Sequence, residues 1–496
     1  MGGATALMQV DSCTGKGIMK KRVVAGGLVL AAAAAWTGTA WYTGKRIEDR
    51  LAQDVQALDA QAQRLGKKLG IPVALELLSF ERGVFSSTAR FGLKVTVQSD
   101  GKPAEKAFEF TGKVEHGPFP ASRLASGDIA PVMAAGGVQM AQTPDAAAWF
   151  AAAGGSVPVT ANFLFAYDRD VSGDLALAPV KYADDPVTFE FSGLQARAER
   201  AGDGTRGSAS LAVDKMSLSE VLKGGAANAG RQTLTLDGLA VSHQSSGASE
   251  AFTSSTTLKV RDWVSDLDKL PLGLKDVVLT LGSETAAERM TGKATLDVGS
   301  VSVRGQHVAK LRMAAGGKDM DVASLKAFQD FSESAPLRVE NGEPILGDKM
   351  LAASHLLKFL LARPSFTLST LEVESANGTS SLGLDIGLDS PSFWNRDPVG
   401  IVKEVVRNLS VRLKLSTDGM ADLIAARLEL KGATPEAARI AARQEADVMR
   451  DLIAQKRWGR IENGVIQVDA DYRDGQLDFN GERMPVEAFF GRVLLR

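Results

Sequence analysis

The pattern of apolar and polar positions passes through three regimes along this chain. From Val23 to Tyr42, about 20 residues run without a charge, the length of helix that crosses a bilayer core. From Lys45 to Gly70, apolar residues fall at Leu51, Val55, Leu58, Ala62, Leu65 and Leu69, with spacings alternating between four and three. That is the a/d pattern of a helix with one apolar seam. From Val73 onward the period drops to two, as in half-exposed antiparallel strands.

The flanks of the first segment orient it. Lys16, Lys20, Lys21 and Arg22 precede it, whereas Lys45 and Arg46 on the far side are followed at once by Glu48 and Asp49. The positive-inside bias puts residues 1–22 in the cytoplasm as a short tail and the long remainder outside. Val23, Leu28 and Leu30 form the apolar body of the anchor, and Trp36, Trp41 and Tyr42 gather at its far end, where aromatic rings favour the membrane–water interface. A cleaved signal peptide is the rival reading, with Gly38 and Ala40 as small residues at a cleavage site. Either reading exports the bulk of the chain. Met19-Lys20-Lys21-Arg22 is a more natural beginning than Met1.

The heptad stretch, residues 43–70, also has two readings. Leu51, Val55, Leu58, Leu65 and Leu69 serve either as the seam of a short parallel coiled coil that makes a homodimer or as the face of an amphipathic stalk lying on its own domain. Gly70-Ile71-Pro72 ends the helix.

A β-rich body over residues 71–320 is expected next. Its candidate strands include Ala107–Val114, Val159–Tyr167, Ala209–Val213, Thr233–Leu236, Leu239–His243, Phe252–Val260, Val277–Leu281, Lys293–Val298 and Val308–Met313. Arg82-Gly83-Val84-Phe85 reads as a bulge or sharp bend. Thr143-Pro144-Asp145 reads as the start of a short helix carrying Trp149 and Phe150, and Ser217-Leu218-Ser219-Glu220 as a capped helix. Residues 321–496 mix helices with strands. Helices are expected over Val322–Ser332, Lys349–Leu361 and Val399–Leu409. A hairpin is expected around Asn377-Gly378, and a capped helix over Glu436–Trp458 with Ile440, Gln444, Val448 and Leu452 on its apolar face. The fold class is α+β: a transmembrane helix and stalk, then a large, mostly antiparallel sheet body with a few packed helices.

The sequence also resembles a known family. The apolar start ending in Trp41-Tyr42-Thr43-Gly44-Lys45, the run Arg82-Gly83-Val84-Phe85-Ser86-Ser87 and the turn His116-Gly117-Pro118-Phe119-Pro120 are similar to the YdgA-like bacterial inner-membrane proteins. So is the ending Asp471-Tyr472-Arg473-Asp474-Gly475-Gln476-Leu477-Asp478-Phe479-Asn480-Gly481. The resemblance implies a single-pass inner-membrane protein with a large periplasmic part, as a homodimer. It carries no catalytic residues, because that family has no assigned reaction.

Composition narrows the chemistry. Net charge is −2 over 496 residues, so no basic field suggests nucleic acid. Cys13 is the single cysteine and lies in the N-terminal tail, which removes disulfides, thiolate metal sites and cysteine nucleophiles from the exported part. The four histidines, His116, His243, His307 and His355, have no metal-ligand spacing. Gly202-Asp203-Gly204-Thr205-Arg206-Gly207 matches GxGxxG, but a strand follows it, so it reads as a turn and not a phosphate loop. Asp168-Arg169-Asp170-Val171-Ser172-Gly173-Asp174 begins like a calcium loop, yet the twelfth position is Pro179 instead of a bidentate Glu. No catalytic, cofactor or metal residues are expected, and the chain reads as non-enzymatic. Two functions fit: an envelope interaction or scaffold module, dimeric on its membrane anchor, or a lipid-binding or lipid-transfer module whose curved sheet offers an apolar groove to phospholipid.

Overall fold

A computed structural model describes residues 45–494, apart from 84–85, 100–101, 117–118, 185, 222–230, 249–250, 267–270, 328–338, 341–342, 345–353, 355–356 and 391–397. The apolar segment Val23–Tyr42 and its predicted anchor residues lie outside the described residues. Among the described residues, no helix is long and apolar enough to cross a membrane. The chain divides into two units. One runs to residue 181 and adds 192–203; the other comprises 182–191 and everything from 204 onward.

The first unit opens with helix α1 (Lys45–Leu69). Gly70 takes a left-handed φ of 70°, and the Ile71 amide donates back to the Gly66 carbonyl at 2.8 Å, so the helix stops where the Gly-Ile-Pro signal places its end. Strands β1 (Val73–Arg82), β2 (Ser86–Ser99), β3 (Lys102–His116), β4 (Ala134–Met140), β5 (Val159–Phe165) and β6 (Val171–Leu177) then pair antiparallel in chain order. The chain next forms β7 (Val180–Asp184), which crosses the boundary between the units, and β8 (Val187–Phe191), which belongs to the second unit. It returns as β9 (Leu194–Arg200) beside β6.

Alternation builds the core of this unit. In β5 the odd positions Val159, Ala161, Phe163 and Phe165 are buried. Phe163 and Phe165 meet edge to face at 5.9 Å and join Ala89, Val114, Ala134 and Val55 of α1 in one cluster. Gly136 makes room for it, since a Cβ there would sit 2.7 Å from the Phe163 ring. Two short helices, α2 (Ala121–Ala125) and α3 (Ala147–Ala152), lie in the connections. Phe150 is buried and Trp149 meets Phe108 of β3 edge-on at 5.8 Å, so α3 packs on the sheet.

The second unit is a longer meander: β10 (Arg206–Val221), β11 (Arg231–Ala248), β12 (Ala251–Ser265), β13 (Leu272–Ala286), β14 (Arg289–Val303) and β15 (Gln306–Asp321). β8 pairs with part of β10. After a small hairpin, β16 (Val339–Glu340) with β17 (Glu343–Pro344), the meander resumes. β18 (Ser365–Ser375) pairs with β15, and β19 (Gly378–Leu388) with β18. Helix α4 (Pro398–Val405) leads into β20 (Val406–Ser416), which pairs with β19. Helices α5 (Thr417–Leu430) and α6 (Pro435–Gln455) follow, then β21 (Arg460–Glu462) and β22 (Val465–Arg473), which pairs with β20. The ending is β23 (Gln476–Phe479), β24 (Glu482–Pro485) and α7 (Val486–Leu494).

Several sequence expectations change here. Residue 320 is no boundary, because β15 and β18 pair through Ala309↔Ser375 to Lys318↔Ser365 in the same sheet. Ser217-Leu218-Ser219-Glu220 is strand, not helix, since both edges of β10 are taken by β8 and β11. Thr233–Leu236 and Leu239–His243 are one strand, β11, with a left-handed Gly238 inside it. The expected helix over Val399–Leu409 ends at Val405, where β19 claims the chain from Val406. Asp145 is drawn away from the predicted helix start to accept from the Ala107 amide at 2.9 Å, and α3 begins only at Ala147. Of the expected bend at Arg82-Gly83-Val84-Phe85, Arg82 is the last residue of β1, a Cβ on Gly83 would sit 2.5 Å from the Ser86 carbonyl, and Val84 and Phe85 lie outside the described residues. The described parts of two other expected helices, residues 322–327 and 357–360, are helical.

Candidate functional site

The register of the second sheet aligns apolar side chains that lie far apart in sequence. Leu211 faces Val241, which faces Leu258, and the row continues through Leu279, Leu296, Met313, Leu371, Leu382 and Leu413 to Val468. Directly paired residues project to the same face. Ten strands therefore carry one uninterrupted apolar row, which at about 4.8 Å per strand spans about 40 Å. A second row, Val277–Val298–Leu311–Val373, runs beside it.

The positions adjacent to these residues, after them in one strand and before them in the next, point the other way. There the row reads Ala212–Ala240–Lys259–Val278–Asp297–Arg312–Glu372–Ser381–Lys414–Gln467. Arg312 ties this face together, 3.4 Å from Glu372 and 3.8 Å from Asp297. The sheet thus has one polar face and one apolar face.

Side chains in a two-layer core are buried, but all ten residues of the apolar row are only half-buried. Among the described residues, helix α5 lies across one end of β14, β15, β18, β19 and β20, with Arg304 reaching the Glu429 carbonyl and Asn377 reaching Asp422, and further cover comes from two other places. Phe359 stacks on Phe366 at 6.1 Å beside the buried Leu360. Elsewhere α7 brings Val486, Phe489 and Phe490 onto Leu409, Ala470 and Tyr472.

A line of lapsed pairing crosses the sheet next to the row. It falls at Asp214 opposite Gly238, Gly238 opposite Arg261, Arg261 opposite Asp276 and Asp276 opposite Gly299. Gly238 and Asp276 take left-handed φ values of 65° and 52°. Apolar positions change parity there, from Leu211 and Val213 to Met216 and Leu218 in β10. The far side has its own apolar row, Phe191–Met216–Leu236–Trp263–Leu274–Val301.

The predicted stalk residues have mostly structural roles in the first unit. Val55 and Ala62 are 6% and 5% exposed, Leu58 and Leu65 are half-buried, and the side chains of Leu51 and Leu69 lie outside the described set. Val55 belongs to the cluster of Ala89, Val114 and Phe163, and Asp59 of α1 accepts from the Leu75 amide of β1 at 2.8 Å. Val55 of the heptad face is therefore packed on the chain's own strands.

The histidines stay apart. His116 Nε2 lies 3.0 Å from Ser87 Oγ, His243 Nδ1 lies 2.9 Å from Thr256 Oγ1, and His307 Nδ1 lies 2.7 Å from Ser300 Oγ; His355 is outside the described residues. Burial, and after it the charge of Arg82, pushes His116 below the ordinary imidazole value. Asp168 and Asp170 spend their carboxylates on the local turn, accepting from the Asp170 and Gly202 amides. Among the described residues, no three histidine, cysteine or carboxylate side chains gather closely enough to hold a metal ion.

The chain belongs to the DUF945 family, described as bacterial protein of unknown function, whose model matches residues 19–487. It is 25% identical over 503 residues to "Protein YdgA" of Escherichia coli (strain K12), covering 95% of this chain and 96% of that protein. It is 24% identical over 514 residues to "Uncharacterized protein YihF" of the same organism, covering 95% and 98%. A Haemophilus influenzae protein matches over 173 residues at 24% identity, 35% of this chain and 46% of that one.

Proposed function

We propose that the β-rich body handles lipid, taking acyl chains on the apolar face of the second sheet, and that the segment Val23–Tyr42 holds it at the bacterial inner membrane with the body in the periplasm. The observation that carries this reading is the ten-strand row from Leu211 to Val468, half-exposed along its length and backed by a polar face. Exposed apolar surface of that extent marks an interaction site in a soluble body. Its lack of charge suits hydrocarbon better than a polar protein partner. The proposal assigns no reaction to the protein. Compared with a dimeric scaffold, it gains from α1, whose seam residues Val55 and Ala62 are already used within the chain.

The test is photo-crosslinking of the full chain, in membranes, with a phospholipid carrying a photoactivatable acyl chain. Labelled peptides are expected from β12 to β15. Replacing Leu258, Leu279 and Leu296 together by Asn should lower that labelling about tenfold, since each buried polar amide costs on the order of 1–3 kcal/mol. Label confined to residues 23–42 removes the lipid reading.

A further inference from the structure

The first unit has a polar hollow that the lipid reading leaves unused. One row of paired residues crosses six strands there: Thr88, Lys113, Gly137, Asn162, Asp174 and Arg197. Gly137 carries no side chain at the middle of the row, and the Asn162 amide leans over it, its Oδ1 2.9 Å from where a Cβ would sit. The open cavity around it measures about 840 Å³. That is within the roughly 300–1,000 Å³ range of small-ligand sites.

The charges in the hollow are already matched. Lys113 Nζ lies 3.0 Å from Glu115, Arg197 lies 2.9 Å from Glu199, and Asp174 accepts from Asn162 Nδ2 at 2.9 Å. A phosphate or carboxylate ligand would have to displace these carboxylates from the cations. The uncommitted groups are neutral. Thr88, Thr111, Thr160 and Ser172 contribute hydroxyls and Gln139 an amide, and none of these side chains makes a hydrogen bond among the described residues. Thr111, Gln139 and Thr160 are themselves paired in a row beside Gly137. Hydroxyls and amides both donate and accept, which is the complement of a sugar ring's hydroxyls.

We infer that this hollow binds a neutral oligosaccharide, seated over Gly137 and held by Thr111, Gln139 and Thr160. The inference stands apart from the lipid reading, since it concerns the other unit and the opposite kind of surface.

Isothermal titration of the full chain, in a detergent without a sugar headgroup, tests it with two probes, chitotetraose and maltotetraose. Binding of at least one is expected, with an affinity unchanged between about 0.05 and 0.5 M NaCl, because no net ion pairing is used. The T111V/T160V double variant should weaken it about tenfold, and Q139L, at an exposed position, about fivefold. An unchanged melting temperature shows that the variants fold; if T111V/T160V does not, Q139L decides alone. Three results overturn the inference: no heat from either saccharide at about 10 mM, an affinity that falls steeply with salt, or binding indifferent to the substitutions.

Discussion

Glu115 shows how a single residue couples this fold to pH. Its carboxylate accepts from both the Oγ and the amide of Ser122, at 2.7 and 2.9 Å, with Lys113 at 3.0 Å. The Ser122 hydrogen bonds, and secondarily Lys113, hold it down at about 2, against an ordinary 4.5. A depressed carboxylate contributes stability above its unfolded value and loses it as pH falls through the folded one. Glu115 thus supplies at most about 3 kcal/mol above pH 4.5, lost between about 4.5 and 2. Burial, and after it the charge of Arg82, lowers His116 from its ordinary value of 6.5, which acts in the same direction as pH falls. Urea unfolding of Glu115→Gln should show a loss of about 1–3 kcal/mol at pH 7 that narrows toward pH 3. An equal loss at both pH values would contradict this. Gly202 is a second such residue. A Cβ there would lie 2.2 Å from the Asp168 carbonyl, so Gly202→Ala should destabilise by about 1–3 kcal/mol without touching any phosphate site. The GxGxxG spelling therefore reflects a close backbone approach between two turns.

Helix α6 separates apolar pattern from actual burial. Its start is as the sequence predicts, with Pro435 in the first turn and Thr434 capping the Ala437 amide at 3.4 Å. Its buried face is not. Ala438, Ala442 and Ala446 are fully buried, and the first two meet Ala425 of α5, whereas Ile440 and Val448 are 58% and 67% exposed. Alanine lets two helices approach closely, and the Arg427–Glu445 pair at 2.8 Å braces the same contact. Ala442→Leu should then cost about 1–3 kcal/mol by overpacking. Val448→Lys should stay within about 0.5 kcal/mol of the parent. Thermal melts that reversed this order would restore the face read from hydropathy. The Asn377-Gly378 turn was legible in sequence, but its fit to α5 was not: Ser416 caps the Gly419 amide at 3.0 Å, and a Cβ on Gly378 would collide with that serine. Helix α1 gives the matching result. Val55→Asp should loosen α1 toward proteases and leave the oligomeric mass unchanged, because its contacts lie within the chain.

At the scale of the molecule, period-two alternation made the β-rich body readable, and most strands stand where it put them. The apolar row could not be read that way. Leu211 and Val468 are 257 positions apart, and only the register of nine successive strand pairings puts them in line. Alternation identifies two faces for each strand and says nothing of which neighbours share them. The line through Gly238 and Asp276 hid the strands further, since a change of parity inside β11 reads as two strands. The half-exposed row also predicts a solution property. A delipidated full chain should bind an apolar dye such as ANS, and the L258N/L279N/L296N variant should bind markedly less at equal folded fraction. Equal dye binding by both would place the exposed apolar surface elsewhere.

The meander makes the reach of this face a matter of counting. From β10 to β15 each strand pairs with its neighbours in sequence, and every connection is a return. Two adjacent strands can thus be excised or duplicated, and those left on either side still run in opposite directions. Each hairpin gained or lost changes the width by about 10 Å. The sheet is a ruler whose graduations are hairpins, and insertion length between relatives should come in multiples of about forty residues, the distance from the start of β12 to the start of β14.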